Sequence, residues 1–199
     1  MALGKQAKTL TKSQIDAVTA FLLTRRHGLR DLTVFLLSVK AGLRAKEIAN
    51  LKWEMVVGSD GKVGVAIHLP NIATKGNSGR IRPLNKQLRS NLIQLLEQAK
   101  VDKFFKIEDS FVVTTERSEG TSPQAVVNMF KRWCHDIGLL VCSSHSGLRT
   151  FITNAARKIS TVGGSLKDVQ SLVGHSSLSV TQLYIMTDDD AKMRIVQLV

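Results

Sequence analysis

Start and stop signals for helices recur along this chain, and between them the apolar residues keep helical spacing. That punctuation leaves few folds open other than a packed set of helices. Thr11 and Gln14 form a capping box, so a helix should begin at Thr11 with Ile15, Val18 and Leu22 on one face. A Leu- and Val-rich run from Leu29 to Ala41 reads as a buried helix that Gly42 breaks, and a short third helix holds Glu47, Ile48 and Leu51. Leu88, Leu92, Leu95 and Ala99 repeat at helical spacing, and Ser122-Pro123 opens a helix to about His135, with proline at its first position. Further helices are expected over about 146–158, over 166–173 behind a Ser165/Asp168 box, over 180–187 and over 189–198.

The middle of the chain departs from this pattern. Trp53–Val57 and Lys62–Leu69 read as strands about a Gly58-Ser59-Asp60-Gly61 turn. A polar loop over 74–79 leads to a third short strand, Arg80–Leu84, and Phe111–Val113 reads as a strand or an extended connection. The expected fold class is α+β, mostly helical, with a small antiparallel β-sheet near one edge. Residues 1–9 read as a basic, flexible N-terminus ahead of one domain over 10–199.

Charge narrows the function. The 199 residues carry 28 Lys and Arg against 16 Asp and Glu, a net charge of +12, and 43% of the chain is apolar. A foldable chain with that excess points to a polyanion such as nucleic acid. Cys134 and Cys142 have no metal or redox spacing and suit a reduced, intracellular protein. No apolar run approaches the roughly 20 residues that span a bilayer. The expectation is a cytoplasmic, nucleoid-associated protein with no membrane partner.

The segment Gly174-His175-Ser176-Ser177-Leu178-Ser179-Val180-Thr181-Gln182-Leu183-Tyr184 looks like a site. Gly174 stands where one helix should stop, and Ser179 with Gln182 should cap the next, carrying Tyr184 about one turn in. Tyr184 is the only tyrosine in the chain. Taken alone, a surface histidine and a core tyrosine explain the segment equally well.

Upstream motifs supply a resemblance. Gly42-Leu43-Arg44-Ala45-Lys46-Glu47 resembles the Gly-Leu-Arg-x-x-Glu segment of the tyrosine recombinases, the phage integrase family, and Lys75 in Thr-Lys-Gly resembles its β-hairpin lysine. Ser144-His145-Ser146-Gly147-Leu148-Arg149 resembles its His-x-x-Arg helix start. Gly174-His175 and Tyr184, nine residues on, match its last histidine and its nucleophile. The resemblance implies a catalytic domain over 10–199 that performs site-specific DNA recombination by strand cleavage and rejoining through a 3′-phosphotyrosine, with no metal and no cofactor.

The chemistry is coherent with those residues. Attack on a phosphodiester shifts charge onto its equatorial oxygens, and an arginine fork that stays charged can hold them. A phenol with a pKa near 10 needs a group to take its proton, and the leaving oxygen needs one back. By resemblance Arg44 clamps the phosphate, His145 serves the tyrosine, Lys75 is the acid, His175 donates to a non-bridging oxygen and Glu47 supports Arg44.

Two departures from the family pattern stand out. The second arginine should lie three residues after the histidine, where this chain has Leu148, with Arg149 next. One residue on a helix turns a side chain by roughly 100°, so the expectation is that the second arginine is missing and activity impaired. An impaired enzyme that still binds DNA, a deliberate alteration, or local geometry that lets Arg149 reach the phosphate are the three explanations. The alternative function is a non-cleaving DNA-binding protein on the same fold that regulates recombination. The catalytic pattern also begins by about residue 10, so no core-binding or arm-binding domain is expected within this sequence, which reads as an excised catalytic fragment or a short member of the family. The apolar tail after Asp188-Asp189-Asp190 is expected to support self-association on DNA through the C-terminal helix, and a partner recombinase would fit the same role.

Overall fold

The computed structural model describes residues 7–70, 79–116, 118–140, 142–184 and 196–197. It divides into two compact units, Met1–Phe151 and Ile152–Val199.

In the first unit, helix α1 (Lys12–Leu23) starts where the capping box places it. Thr11 Oγ1 accepts from the Gln14 amide and Gln14 Oε1 accepts from the Thr11 amide, while Ile15, Val18 and Leu22 turn inward. Helix α2 (Gly28–Ala41) is buried along most of its length and packs on α1, on α3 (Ala45–Ala49) and on α4 (Lys86–Ala99), so it forms the axis of this unit. It ends at Gly42, whose φ of 64° is left-handed, and a Cβ there would come within 2.4 Å of the Phe151 ring. Only glycine accepts both conditions without strain. Helix α5 (Pro123–Asp136) opens with the Ser122 hydroxyl accepting from Ala125 and packs on α3. Near its end Cys134 neighbours Cys142, and the interaction of the two thiols raises the Cys134 pKa and lowers that of Cys142.

The expected strand at Trp53–Val57 is not formed. Trp53–Met55 is a single 3-10 turn, because the Val56 and Val57 amides donate back to the Trp53 carbonyl. The turn carries the Trp53 indole into the core. Lys62–Leu69 shortens to strand β1 (Ala66–Leu69), paired antiparallel with β2 (Arg80–Pro83) in a two-stranded sheet. Phe111 makes one isolated bridge to Lys52, so 111–113 is an extended connection. In the β2 register Ile67 faces Arg82 and Leu69 faces Arg80, and these four side chains turn inward. Ile81 points outward, 61% exposed. The usual alternation is inverted: arginines in, isoleucine out.

Helix α6 (Ser144–Lys158) begins two residues ahead of the expected start, and the division between the units falls within it. In the second unit a 3-10 turn (Ile159–Val162) leads through Gly163 to α7 (Leu166–Val173), whose Ser165/Asp168 box forms as expected. Two bonds from Ser165 hold the Asp168 carboxyl below its usual pKa. Helix α8 (Leu178–Gln182) packs on α7. Its cap is Ser177, which accepts from Val180, not Ser179, so the helix starts earlier and ends before Tyr184. The two serines offer the same local chemistry, and their spacing from the first buried residue, Thr181, decides between them. Residues 185–187 and nearly all of the expected 189–198 helix lie outside the described residues. Among the described residues no helix is long and apolar enough to cross a membrane.

Candidate active site

Two groups of predicted residues come together, one in each unit. In the first unit the turn after Gly42 delivers Arg44 to the N-terminus of α3. Glu47 is buried one turn later; its Oε2 accepts from the Arg44 amide at 2.8 Å and its Oε1 accepts from Arg44 Nη1 at 3.3 Å. Arg80 from β2 donates Nη2 to the same Oε1, making a buried ion pair. Arg44 remains 31% exposed through its side chain, so of these groups it is the one open to a ligand. A guanidinium that is held at its base and open at its tip suits an anion with planar oxygen pairs.

Behind this pair lies Arg82, fully buried, and among the described residues none of its three guanidinium nitrogens has a hydrogen-bond partner. Burial first, then the Arg80 charge, brings its pKa down to about 10, with Glu47 pulling the other way and Arg44 adding to the fall. At neutral pH it is still charged.

The first turns of α6 carry the other predicted residues of this unit. His145 is exposed, whereas Leu148 and Arg149 are both buried. Ser146 Oγ accepts from the Ser143 amide at 3.1 Å, closing the helix start, and the Ser146 carbonyl accepts from Thr150 Oγ1. Gly147 lies so close to α2 that a Cβ would meet Ser38 Oγ at 2.3 Å. His145 and Leu148 therefore do not share a surface: one faces solvent and the other is part of the interior. Lys75 falls between the two strands, outside the described residues.

In the second unit α7 ends at Gly174 with φ of 64°, which turns the chain so that His175 is buried. Its amide donates to the Gln170 carbonyl, its carbonyl accepts from Gln170 Nε2, and its Nδ1 meets Thr181 Oγ1 at 3.0 Å. The His175 and Tyr184 rings stack with centroids 5.2 Å apart and planes at 26°. The Tyr184 carbonyl accepts from Thr153 Oγ1 at 2.8 Å. The imidazole is thus fixed at the backbone and at one ring nitrogen, and it packs along the phenol ring.

Sequence reasoning missed Arg80, Arg82, Thr153 and Thr181. The Arg-Ile-Arg alternation does place both arginines on one face of a strand. Hydrophobic patterning assigns that face to solvent, so the clue pointed the wrong way. Thr181 carried a weak signal, sitting six residues after His175 on the next helix.

Residues 8–191 match the model of the phage integrase family, and the chain belongs to that family. Tyrosine recombinase XerA of Pyrococcus horikoshii is 28% identical over 90% of this chain and 58% of its own length. Tyrosine recombinase XerD of Xanthomonas axonopodis pv. citri is 31% identical over 90% of the chain, again 58% of its own length. The chain therefore spans somewhat over half the length of these relatives. Among solved structures, the fold matches the crystal structure of XerA recombinase with a TM-score of 0.76, covering 96% of this chain and 64% of that one at 18% identity. It also matches XerH site-specific recombinase bound to a palindromic difH substrate, with a TM-score of 0.74 over 94% of this chain and 51% of that one at 17% identity. The fold is that of a tyrosine recombinase catalytic domain, mostly helical with one small antiparallel sheet.

Proposed function

We propose that this chain performs site-specific recombination on double-stranded DNA by metal-independent cleavage and rejoining, with residues 10–199 as the catalytic domain. Tyr184 attacks the scissile phosphorus; the P–O5′ bond breaks, a 3′-phosphotyrosine forms, and the 5′ oxygen leaves with a proton. Rejoining reverses the step, so the bond energy is conserved in the covalent link. The observation that carries the reading is Tyr184 stacked on a buried His175 whose ring nitrogen is held by Thr181. A histidine so fixed is preorganised to donate to a phosphate oxygen next to the nucleophile.

Arg44 supplies one guanidinium. In place of the arginine expected at Leu148, we assign the second to Arg149, the adjoining cation on α6, which is buried as Leu148 is. His145, exposed at the first turn, serves the tyrosine proton, and Lys75 protonates the leaving oxygen. The +12 charge supports duplex DNA as the partner. Self-association through the C-terminal segment and a partner recombinase belong to the same proposal. The rival is a non-cleaving DNA-binding regulator, favoured by Leu148 at the position three after His145.

Covalent trapping decides. Nicked suicide duplexes cut from the DNA flanking the chain's own gene are incubated with the wild type, Tyr184→Phe, Arg149→Gln and Leu148→Arg. An adduct lost in Tyr184→Phe and reduced about 10²–10³-fold in Arg149→Gln supports the proposal, that being the usual cost of one phosphate donor. An adduct that survives Arg149→Gln and rises in Leu148→Arg would show that the second clamp is missing. No adduct from any variant, with DNA binding intact, selects the regulator.

A further inference from the structure

Three guanidinium groups, Arg44, Arg80 and Arg82, gather around one buried carboxylate, Glu47. Only two of them touch it. Among the described residues Arg82 has no acceptor on any of its nitrogens, and it has no solvent exposure, a costly arrangement that proteins seldom keep without use. A methionine or leucine of similar size would fill the inner face of β2 beside Ile67 at no such cost.

We propose that Arg82 is a positioning residue for phosphate capture: a buried positive charge without a hydrogen bond that draws Glu47 toward β2 and leaves the outer edge of the Arg44 guanidinium open to grip an anion. The inference rests on reading Arg44 as the phosphate clamp. Glu47 is close enough to both Arg44 and Arg80 to neutralise either one. Were Arg44 its main partner, the site would present a nearly neutral pair to the incoming phosphate. With Arg80 saturating Glu47 and Arg82 adding one more charge nearby, the cluster carries a net charge of about +2 by simple count, and only Arg44 faces outward. The field of Arg82 acts through protein and not through water, so it is weakly screened. A bound anion relieves the repulsion among the arginines, which makes the empty site the strained state and the occupied one the relaxed state.

The test follows thermal unfolding of the full chain in rising inorganic phosphate, against chloride at matched ionic strength. Wild type, Arg82→Met, Arg82→Lys and Arg44→Gln are compared. The expected result is a phosphate-specific rise in Tm for the wild type that Arg44→Gln abolishes. Arg82→Met should melt higher than the wild type in chloride, yet bind phosphate about tenfold more weakly, the effect of one charge several ångströms away at the effective dielectric of a protein interior. Arg82→Lys keeps the charge and should keep most of the phosphate response. A residue with a merely structural role would behave otherwise: Arg82→Met would melt lower and respond to phosphate as the wild type does, and that outcome overturns the proposal. So does a wild type with no phosphate-specific rise, an Arg82→Lys that loses the response, or failure of both Arg82 variants to fold. No DNA cleavage enters this readout. A phosphate pattern as expected with no Tyr184 adduct would remove the recombination reading and leave the role of Arg82; the reverse would remove only Arg82.

Discussion

Arg82 occupies a position where the inner face of a two-stranded sheet ordinarily carries an aliphatic side chain, and its protonation records the consequence. Its pKa is lowered to about 10 in the folded chain by burial and by Arg80. The unfolded chain, with an ordinary arginine, binds more protons than the folded one from about that pH upward. Stability from this group therefore rises with pH across that window, and at neutral pH the charge is a full penalty. The stability difference between Arg82→Met and the wild type should be flat below pH 10, with Arg82→Met ahead by roughly 1–4 kcal/mol, and should narrow as pH passes 10. Urea unfolding at a series of pH values measures it. A gap that widens above pH 10 would contradict the account. Nothing in the sequence announces this residue. Arginine in a strand reads as solvent-facing; the carboxylate on α3 accounts for Arg80 turning inward, and Arg82, two residues on, shares its face of the strand.

At the scale of elements, caps were the most legible signals and also the source of the clearest displacement. Thr11/Gln14 and Ser165/Asp168 formed the boxes expected of them, and the α1 face of Ile15, Val18 and Leu22 is buried as its spacing implied. Ser177 and Ser179 present equal chemistry two residues apart, and the choice between them rests on which leaves Thr181 facing His175. The result moves Tyr184 off the helix and onto the turn behind it. Ser177→Ala should destabilise the 178–184 segment by about 1 kcal/mol, and Ser179→Ala by little. Amide hydrogen exchange across 178–184 reads this directly, and equal acceleration in both variants would show the cap assignment to be wrong. The strand expected at 53–57 failed for a different reason. A short apolar run is compatible with a strand or a tight turn, and here the Val56 and Val57 amides return to the Trp53 carbonyl and close the turn.

For the whole molecule the dominant property is charge. With +12 spread over 199 residues, DNA affinity should be carried by phosphate contacts and so depend steeply on salt. For six or more contacts the affinity should fall about 10³-fold or more between 50 and 200 mM salt. Fluorescence anisotropy with a labelled duplex tests this, and a shallow slope would mean that base contacts or apolar surface dominate. The inverted hairpin carries a consequence of another kind, one of folding order. By hydrophobicity alone β2 would pair one residue out of step, burying Ile81 and releasing Arg80 and Arg82 to water. Glu47, the ion partner of Arg80, favours the observed register. Docking of α3 should therefore precede the settling of β1 and β2, and pulsed hydrogen exchange during refolding of Glu47→Gln should show the strand amides protected later than the helices; equal timing would contradict this.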